Sequence, residues 1–287
     1  MQRKMLSKVF LSFALLAFSA ILISGTAQAA PNYIDKTTSA GQYRIYYNSS
    51  LSASCEAIVL GVGTSMSRDG YDYLASAIAS YGYIVVIVDH QPGSMTKTDA
   101  TKFKACAIEL QNNILSWLSG KGCSSIAHWI LGGHSAGGQA AQNAVSGDPN
   151  LAEGVFSIDP YDCSGTGAVS VPALYWGFDV TTCFVTKENA AKAAYYGSLG
   201  ERAFYRVAKV YSWGPCGYSP KYFHCSFADG DCLACTNCMI TPSYFFTDIA
   251  KSVNKFINAA FYGTFTKANV AVSTTTPTTL FVGSDAP

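Results

Sequence analysis

The sequence predicts an α/β fold with a mostly parallel central sheet flanked by helices. Short apolar runs alternate along the chain with longer segments in which apolar residues return at helical spacing. The run at residues 83–88 is unbroken in apolar residues, as expected of a strand buried on both faces of a parallel sheet. Hydrophobic residues make up 49% of the 287 residues and charged residues 13%, which is enough apolar surface for a large core.

The predicted elements follow from local composition. Apolar runs rich in β-branched and aromatic residues predict strands at 43–47, 55–62 and 83–88. Apolar residues on one helical face, followed by a glycine, predict helices at 71–81 and 98–118, ended by Gly82 and Gly120. The same criteria predict later strands at 129–132, 154–159, 171–178 and 203–211, the last of these being the final core strand, and helices from 138, near 187–196 and at 246–261.

Residues 1–29 have the parts of a signal peptide. Positively charged residues precede an apolar run at 9–23, and a small-residue cleavage site ends at Ala29. We expect cleavage after Ala29 and a secreted or periplasmic protein, with an uncleaved membrane anchor as the alternative. One α/β domain at 30–270 then precedes a threonine-rich, loose tail at 271–287.

All ten cysteines lie beyond that cleavage site, and the segment at 216–238 is rich in them. An even number of cysteines in an exported protein indicates disulfide bonds. The alternative is a zinc site, for which the ligands would be His224, Cys225, Cys232, Cys235 and Cys238. The C-x2-C-x2-C spacing of Cys232, Cys235 and Cys238 lacks the two separate ligand pairs of a structural zinc site, so we expect disulfides and no metal. A disulfide from Cys225 to Cys163 or Cys183 would hold the loop that contains His224.

Five residues in the middle of the chain form the most informative motif, Gly133-His134-Ser135-Ala136-Gly137. They follow the predicted strand at 129–132 and precede the helix predicted from 138. The pattern G-x-S-x-G between a strand and a helix is typical of the nucleophile elbow of α/β-hydrolases. The serine there lies in a strained turn, and the glycines two residues away avoid clashes with the neighbouring strand and helix. The motif predicts Ser135 as the nucleophile.

A serine nucleophile needs a base, and in α/β-hydrolases the histidine comes last in chain order. Of the four histidines, His90 and His128 precede Ser135, and His134 lies inside the elbow, where we expect it to point away from the nucleophile's partner. His224 alone comes late, in a loop after the last predicted strand. We therefore expect His224 to take the proton of Ser135, with an ordinary buried or surface histidine as the alternative.

The acid that orients this histidine has more than one candidate. Asp159 ends the strand after the elbow helix, and Asp179 ends the next strand. Asp162 is a third candidate. The sequence Ile158-Asp159-Pro160 resembles the acid site of chlorophyllases and pancreatic-type lipases, whereas the position of Asp179 resembles that of cutinases and bacterial polyester hydrolases. Asp159 is the preferred choice, and Asp179 stays open.

The negative oxygen that forms when an ester is attacked needs hydrogen-bond donors. One is the backbone amide of Ala136, the residue after the nucleophile. The other comes from the glycine-containing loop at 61–66, where Thr64 is the first candidate and Ser65 the second. The alternative for this loop is an ordinary turn between a strand and a helix.

Together these segments make residues 55–230 resemble cutinase-like polyester hydrolases, chlorophyllases and platelet-activating-factor acetylhydrolase-like esterases. The elbow reads G-H-S-x-G-G, the loop before it carries Val62-Gly63-Thr64, and His224 lies where these enzymes place their histidine. The resemblance implies a serine carboxylic-ester hydrolase that works through an acyl-enzyme without a cofactor. The chain departs from the family at 216–238 and at Thr64, where the family usually has an aromatic residue.

The remaining expectations concern partners. Between Asp162 and Val171 there are too few residues for a helical lid, so we expect no large lid and an ester substrate that is bulky or polymeric. Candidate walls of this open cleft are Tyr161, Trp176, Phe178 and Trp213, with a core position as the alternative. A net charge of +1 favours no nucleic-acid partner, and we expect a monomer without membrane insertion. Alternative functions are an acyltransferase, a peptidase or a non-catalytic binding protein.

Overall fold

The computed structural model describes residues 32–89, 99–161, 168–178, 190–208, 210–214, 217–228 and 241–285. Its strands are β1 (Asn32–Thr37), β2 (Gln42–Tyr47), β3 (Ser54–Gly61), β4 (Ile84–Asp89), β5 (Ser125–His134), β6 (Gly154–Ile158), β7 (Ala173–Phe178), β8 (Arg202–Val207), β9 (Tyr211–Gly214), β10 (Gly217–Pro220) and β11 (Thr278–Val282). Its helices are α1 (Asp72–Ala79), α2 (Ala100–Trp117), α3 (Ala136–Gly147), α4 (Ala190–Gly197), α5 (Ser243–Tyr262) and α6 (Lys267–Val270). The predicted signal peptide lies outside the described residues.

Nine strands of the described chain form one sheet in the order β1-β2-β4-β3-β5-β6-β7-β8-β11. The strands from β4 to β8 in this order all pair in parallel. Antiparallel pairs close both edges, with β1 and β2 at one side and β11 at the other. The predicted α/β fold with a mostly parallel sheet is therefore confirmed.

Helices cover both faces of this sheet, because each parallel strand must be joined to the next by a crossover. On one face α1 and α5 pack over alternate strand residues such as Leu60 and Ile158. On the other face α2, α3 and α4 pack over the residues between them, such as Val59 and Val155. Strands buried on both sides explain the unbroken apolar runs in the sequence.

The chain changes direction across the sheet between β3 and β5, which lie side by side. The chain leaves β3 through α1 towards β4, on one face, and it leaves β5 through α3 towards β6, on the other. In open α/β sheets the crevice outside the carboxyl ends of two such strands is the usual place for a ligand. Ser135 follows β5 directly, so the elbow lies at this crevice.

The end of the chain is part of the sheet. The sequence predicts a loose tail at 271–287 and a last core strand at 203–211, yet β11 pairs with β8 along its whole length. The expectation of a loose tail is wrong for these residues. Threonine is a good strand residue, and β11 covers an edge of β8 that would otherwise be unpaired.

The described cysteines differ in their roles. Cys55, at the start of β3, forms a disulfide with Cys123, just before β5, with 6.0 Å between the two Cα atoms. Cys225 is also disulfide-bonded, and the candidate partners Cys163 and Cys183 lie outside the described residues. Cys106 is a free, buried thiol inside α2, so the even number of cysteines does not mean that each of them forms a disulfide. The disulfides are compatible with an exported protein.

No helix in the described ranges is both long enough and apolar enough to cross a bilayer. The 20-residue α5 is amphipathic: Phe245, Ile249 and Phe256 are buried, whereas Lys251 and Lys255 lie at or near the surface. Its length thus serves to cover one face of the sheet.

Candidate active site

Ser135 lies in the sharp turn between β5 and α3. Its φ of 53° and ψ of −122° are a conformation that side chains rarely adopt. Hydrogen bonds on both sides hold it: the amide of Ser135 donates to the carbonyl of Ile158 (3.1 Å), and the amide of Tyr161 donates to the carbonyl of Ser135 (3.0 Å). The neighbouring strand β6 therefore holds a backbone that would relax elsewhere.

The glycines of the motif are required by the approach of β3. A Cβ atom on Gly137 would lie 2.1 Å from the carbonyl oxygen of Gly61, and one on Gly133 would lie 2.5 Å from the same oxygen. Gly133 also has a φ of 153°. The expected clash with the neighbouring strand is confirmed: the main chains of the elbow and β3 touch, which leaves no room for side chains.

Asp159 and His224 are brought together by the end of β6 and a short 3-10 turn at His224–Phe227. The Nδ1 atom of His224 is 2.6 Å from Oδ2 of Asp159, and both side chains are buried. Asp159 has a φ of 40°, and its amide donates to the carbonyl of Trp176 on β7 (2.7 Å). Of the three candidate acids, Asp179 and Asp162 lie outside the described residues.

Local bonds and aromatic packing form the turn that carries His224. Phe223 and Ser226 exchange two hydrogen bonds, one from each backbone amide, and these close the turn. Phe227 is fully buried and packs against Phe178 and Phe245, with ring centroids 5.2 Å apart in both pairs. The histidine thus sits on a turn anchored in the core.

The loop after β3 lies against Ser135. A Cβ atom on Gly63 would be 3.3 Å from Cβ of Ser135. The amides of Val62, Gly63 and Met66 are all engaged, by Val88, by the Tyr71 hydroxyl and by the carbonyl of Gly63. Among the described residues the amide of Thr64 has no such partner.

The other predicted donor, Ala136, is the first residue of α3. The first amides of a helix have no partner within it. Within the described part of the chain, the amides of Ala136 and Thr64 are therefore both uncommitted beside the serine.

His134 contacts the catalytic candidates in a way that the sequence does not predict. Its Nε2 atom is 2.9 Å from the carbonyl oxygen of His224, and its Nδ1 atom is 2.8 Å from the hydroxyl of Tyr71. The rings of His134 and His224 are 4.6 Å apart. The expectation that His134 points away from the nucleophile's partner is wrong. Burial, and secondarily electrostatic repulsion from the neighbouring His224, hold the pKa of His134 well below its usual value.

Other candidates from the sequence only pack against neighbouring rings or lie outside the described residues. His128 lies near the opposite end of β5, stacked on Phe261, and His90 is outside the described residues. Trp176 is a core residue, stacked on Tyr205 and fully buried, rather than a wall of a cleft. No pattern in the sequence distinguishes Tyr71 from the other aromatic residues of the core. What distinguishes it is the contact of its hydroxyl with His134, which lies 63 residues away in the chain.

The contacts around Ser135 leave one gap in the described arrangement. Among the described residues there is no hydrogen bond between the hydroxyl of Ser135 and the imidazole of His224; the two residues are linked through His134. Catalytic hydrogen bonds are often long without substrate. Since Asp159 engages Nδ1 of His224, Nε2 is the nitrogen left for proton transfer.

No protein-family model matches the chain, and no curated protein is significantly similar to it in sequence. The α/β fold and the contacts around Ser135 are therefore the basis for a functional proposal. In the described residues no group of three or more histidine, cysteine or acidic side chains could hold a metal ion.

Proposed function

We propose that the chain is an exported serine carboxylic-ester hydrolase of the α/β-hydrolase type. Ser135 is the nucleophile, His224 the base and Asp159 the acid. The observation that carries the proposal is the 2.6 Å hydrogen bond between His224 and Asp159, at the same edge of the sheet as a serine with positive φ. A buried histidine–carboxylate pair beside a serine in a strand-to-helix turn is the arrangement that acyl transfer requires.

The reaction follows from these roles. Oγ of Ser135 attacks the ester carbonyl carbon while its proton passes to Nε2 of His224. Asp159 accepts a hydrogen bond from Nδ1 and stabilises the imidazolium. The tetrahedral intermediate expels the alcohol, which takes the proton from His224 and leaves an acyl group on Ser135. Water then repeats the two steps, releasing the acid and restoring the serine.

The developing oxyanion is bound by the backbone amides of Ala136 and Thr64. Each such donor contributes about 10²–10³ in kcat. Because the Thr64 contribution comes from its backbone, a Thr64→Ala enzyme should keep kcat within about threefold, far less than the loss of one donor. A 100-fold loss would instead assign the role to the hydroxyl.

The ester substrate is proposed to be bulky or polymeric, because an uncapped site is open. This rests on the short segment between Asp162 and Val171, of which residues 162–167 lie outside the described part. Export rests on the segment at 1–29 and on the disulfides.

The proposal is tested with purified protein, short-chain p-nitrophenyl esters and a fluorophosphonate probe. We expect turnover and a covalent adduct on Ser135, and neither in Ser135→Ala. Absence of both turnover and adduct in the wild type would refute the hydrolase assignment. Turnover that needs an added alcohol in place of water would make the protein an acyltransferase.

The acid assignment has its own test. Asp159→Asn should lower kcat by about 10⁴, because an amide cannot hold the imidazole in the required tautomer or stabilise its charge. Asp179→Asn, the matched control, should leave kcat nearly unchanged. The reverse pattern would assign the acid to Asp179.

A further inference from the structure

Three buried hydrogen bonds join the loop after β3 to the turn that carries His224. The amide of Gly63 donates to the hydroxyl of Tyr71 (2.9 Å), this hydroxyl lies 2.8 Å from Nδ1 of His134, and Nε2 of His134 lies 2.9 Å from the carbonyl oxygen of His224. Tyr71 and His134 are 2% and 1% exposed. These hydrogen bonds are therefore buried, and at Gly63 and His134 they lie next to Ser135.

The direction of all three hydrogen bonds follows from the group at the end of the series, the carbonyl oxygen of His224. A carbonyl oxygen only accepts, so Nε2 of His134 must carry a proton. Burial keeps His134 neutral, so its Nδ1 has no proton and accepts. Tyr71 must then donate to Nδ1 rather than to Sδ of Met66, which lies 3.2 Å from the same hydroxyl, and the hydroxyl oxygen accepts from the amide of Gly63. Each of these groups has a hydrogen-bond partner in only one arrangement of the protons.

We propose that Tyr71 and His134 are positioning residues that fix the main chain of His224 relative to Ser135 and to the loop that binds the oxyanion. The inference rests on the proposed hydrolase function, and it adds two residues that touch neither substrate nor reacting atoms. It assigns them the task of holding base, nucleophile and amide donors in one frame.

Packing alone does not explain these residues. Phenylalanine would fill the place of Tyr71 but would leave two buried polar groups, the amide of Gly63 and Nδ1 of His134, without this partner. The position of His134 is equally specific, since its ring lies 4.6 Å from the ring that gains a positive charge during the reaction. A neutral neighbour there does not oppose that charge, whereas a second cation would.

The test compares two tyrosines that each lose a buried hydroxyl. Tyr71→Phe should lower kcat about 100-fold with KM within about twofold, because a small displacement of the base costs about that much. Tyr205→Phe, whose hydroxyl donates to the carbonyl of Val270 (2.6 Å) on the same face of the sheet, is the control. It should lose stability but keep kcat. Equal kcat losses in both variants, or a change in KM alone, would overturn the proposal.

Replacement of His134 separates hydrogen bonding from packing. Glutamine can donate to the carbonyl of His224 and accept from Tyr71, whereas methionine of similar size cannot donate. His134→Gln should therefore keep at least about tenfold more kcat than His134→Met. If the two variants are equally active or equally impaired, the side chain only fills space and the positioning role is refuted.

A spectroscopic measurement keeps this proposal distinct from the proposed function. In ¹⁵N-histidine NMR spectra of the wild type, His134 should be a neutral imidazole protonated at Nε2, and Tyr71→Phe should shift its Nδ1 signal. A wild type that is active but shows another tautomer refutes the positioning chain alone. A wild type with the predicted tautomer but no turnover and no Ser135 adduct refutes the hydrolase, and with it the catalytic role of the chain.

Discussion

At the scale of single residues, the elbow depends on two main chains that touch. Gly133 and Gly137 both face the carbonyl oxygen of Gly61 at distances that exclude a Cβ atom. The contact allows the turn to place Ser135 at the crevice between β3 and β5. The residues are small because backbone, which cannot move aside as a side chain can, occupies the space.

Gly137→Ala and Gly147→Ala make a matched pair on one helix. The first should lower the free energy of unfolding by about 3 kcal/mol, because its Cβ would overlap the backbone of Gly61. Nothing lies within 4 Å of a Cβ on Gly147, so the second should leave stability unchanged or raise it by up to about 1 kcal/mol. Urea unfolding measures both. Similar values for the two variants would show that the elbow can relax.

His134 should make stability depend on pH. Its folded-state pKa lies well below the ordinary 6.5, mainly because it is buried, so below pH 6.5 the unfolded chain binds a proton that the folded chain does not. The free energy of unfolding should therefore fall as pH decreases below 6.5, by up to about 1.4 kcal/mol per pH unit from this group.

Urea unfolding at several pH values checks this against His134→Gln. All other titrating groups are shared, so the variant should show the shallower decline below pH 6.5. Parallel curves for the two proteins would mean that His134 is protonated in the folded state as readily as in the unfolded chain.

At the scale of elements, β11 completes the sheet from the far end of the chain. All of its residues pair with residues 203–207 of β8, and the carbonyl of Gly283 accepts hydrogen bonds from Tyr195 and Arg202. Asp285 then pairs with Lys267, the first residue of α6 (2.8 Å). The last threonine-rich segment therefore belongs to the folded domain.

Truncation tests the contribution of β11. A chain that ends at Thr276 should lose about 3 kcal/mol of stability, since several ladder hydrogen bonds at about 0.5–1.5 kcal/mol each are removed. It should also aggregate more readily, because β8 becomes an exposed edge. A chain that ends at Asp285 is the control and should match the full chain in urea unfolding. Equal stability of both truncated chains would argue against a structural role for β11.

At the scale of the whole molecule, the Cys55–Cys123 disulfide joins the two strands that flank the crevice. It bridges a sequence separation of 68 residues and lies at the amino-terminal ends of β3 and β5, away from the elbow. Such a crosslink restricts the unfolded chain more than the folded one. Its effect should therefore appear in the free energy of unfolding rather than in the proposed ester hydrolysis.

Replacing both cysteines with alanine should lower the free energy of unfolding by about 4 kcal/mol for a loop of this length. The proposed ester turnover should, at room temperature, stay near the wild-type rate. A reducing agent breaks the Cys55–Cys123 disulfide of the wild type, and in both proteins it also breaks the disulfide of Cys225. The difference in the free energy of unfolding between the two proteins should then become small. A difference that persists under reduction would come from packing at Cys55 rather than from the crosslink.

Features that depend on neighbours in the chain could be predicted from the sequence alone. Apolar periodicity was enough to predict most of the parallel strands and the helices that cover them, because burial of one face imposes a regular spacing of apolar residues along each element. The motif around Ser135 could also be recognised in the sequence, because its glycines are needed for a turn made by consecutive residues. Asp159 could be named as a candidate for the same reason: it ends a strand next to the elbow.

Which distant residues lie in contact depends on the tertiary fold and could not be predicted from the sequence. Asp159 and His224 are 65 residues apart in the chain, and His134 and the carbonyl of His224 are 90 apart. No local pattern encodes such pairs, because the order of the strands and the packing of a turn on the core set them. The same reason applies to Tyr71 and to the pairing of β11 with β8, neither of which the sequence predicted.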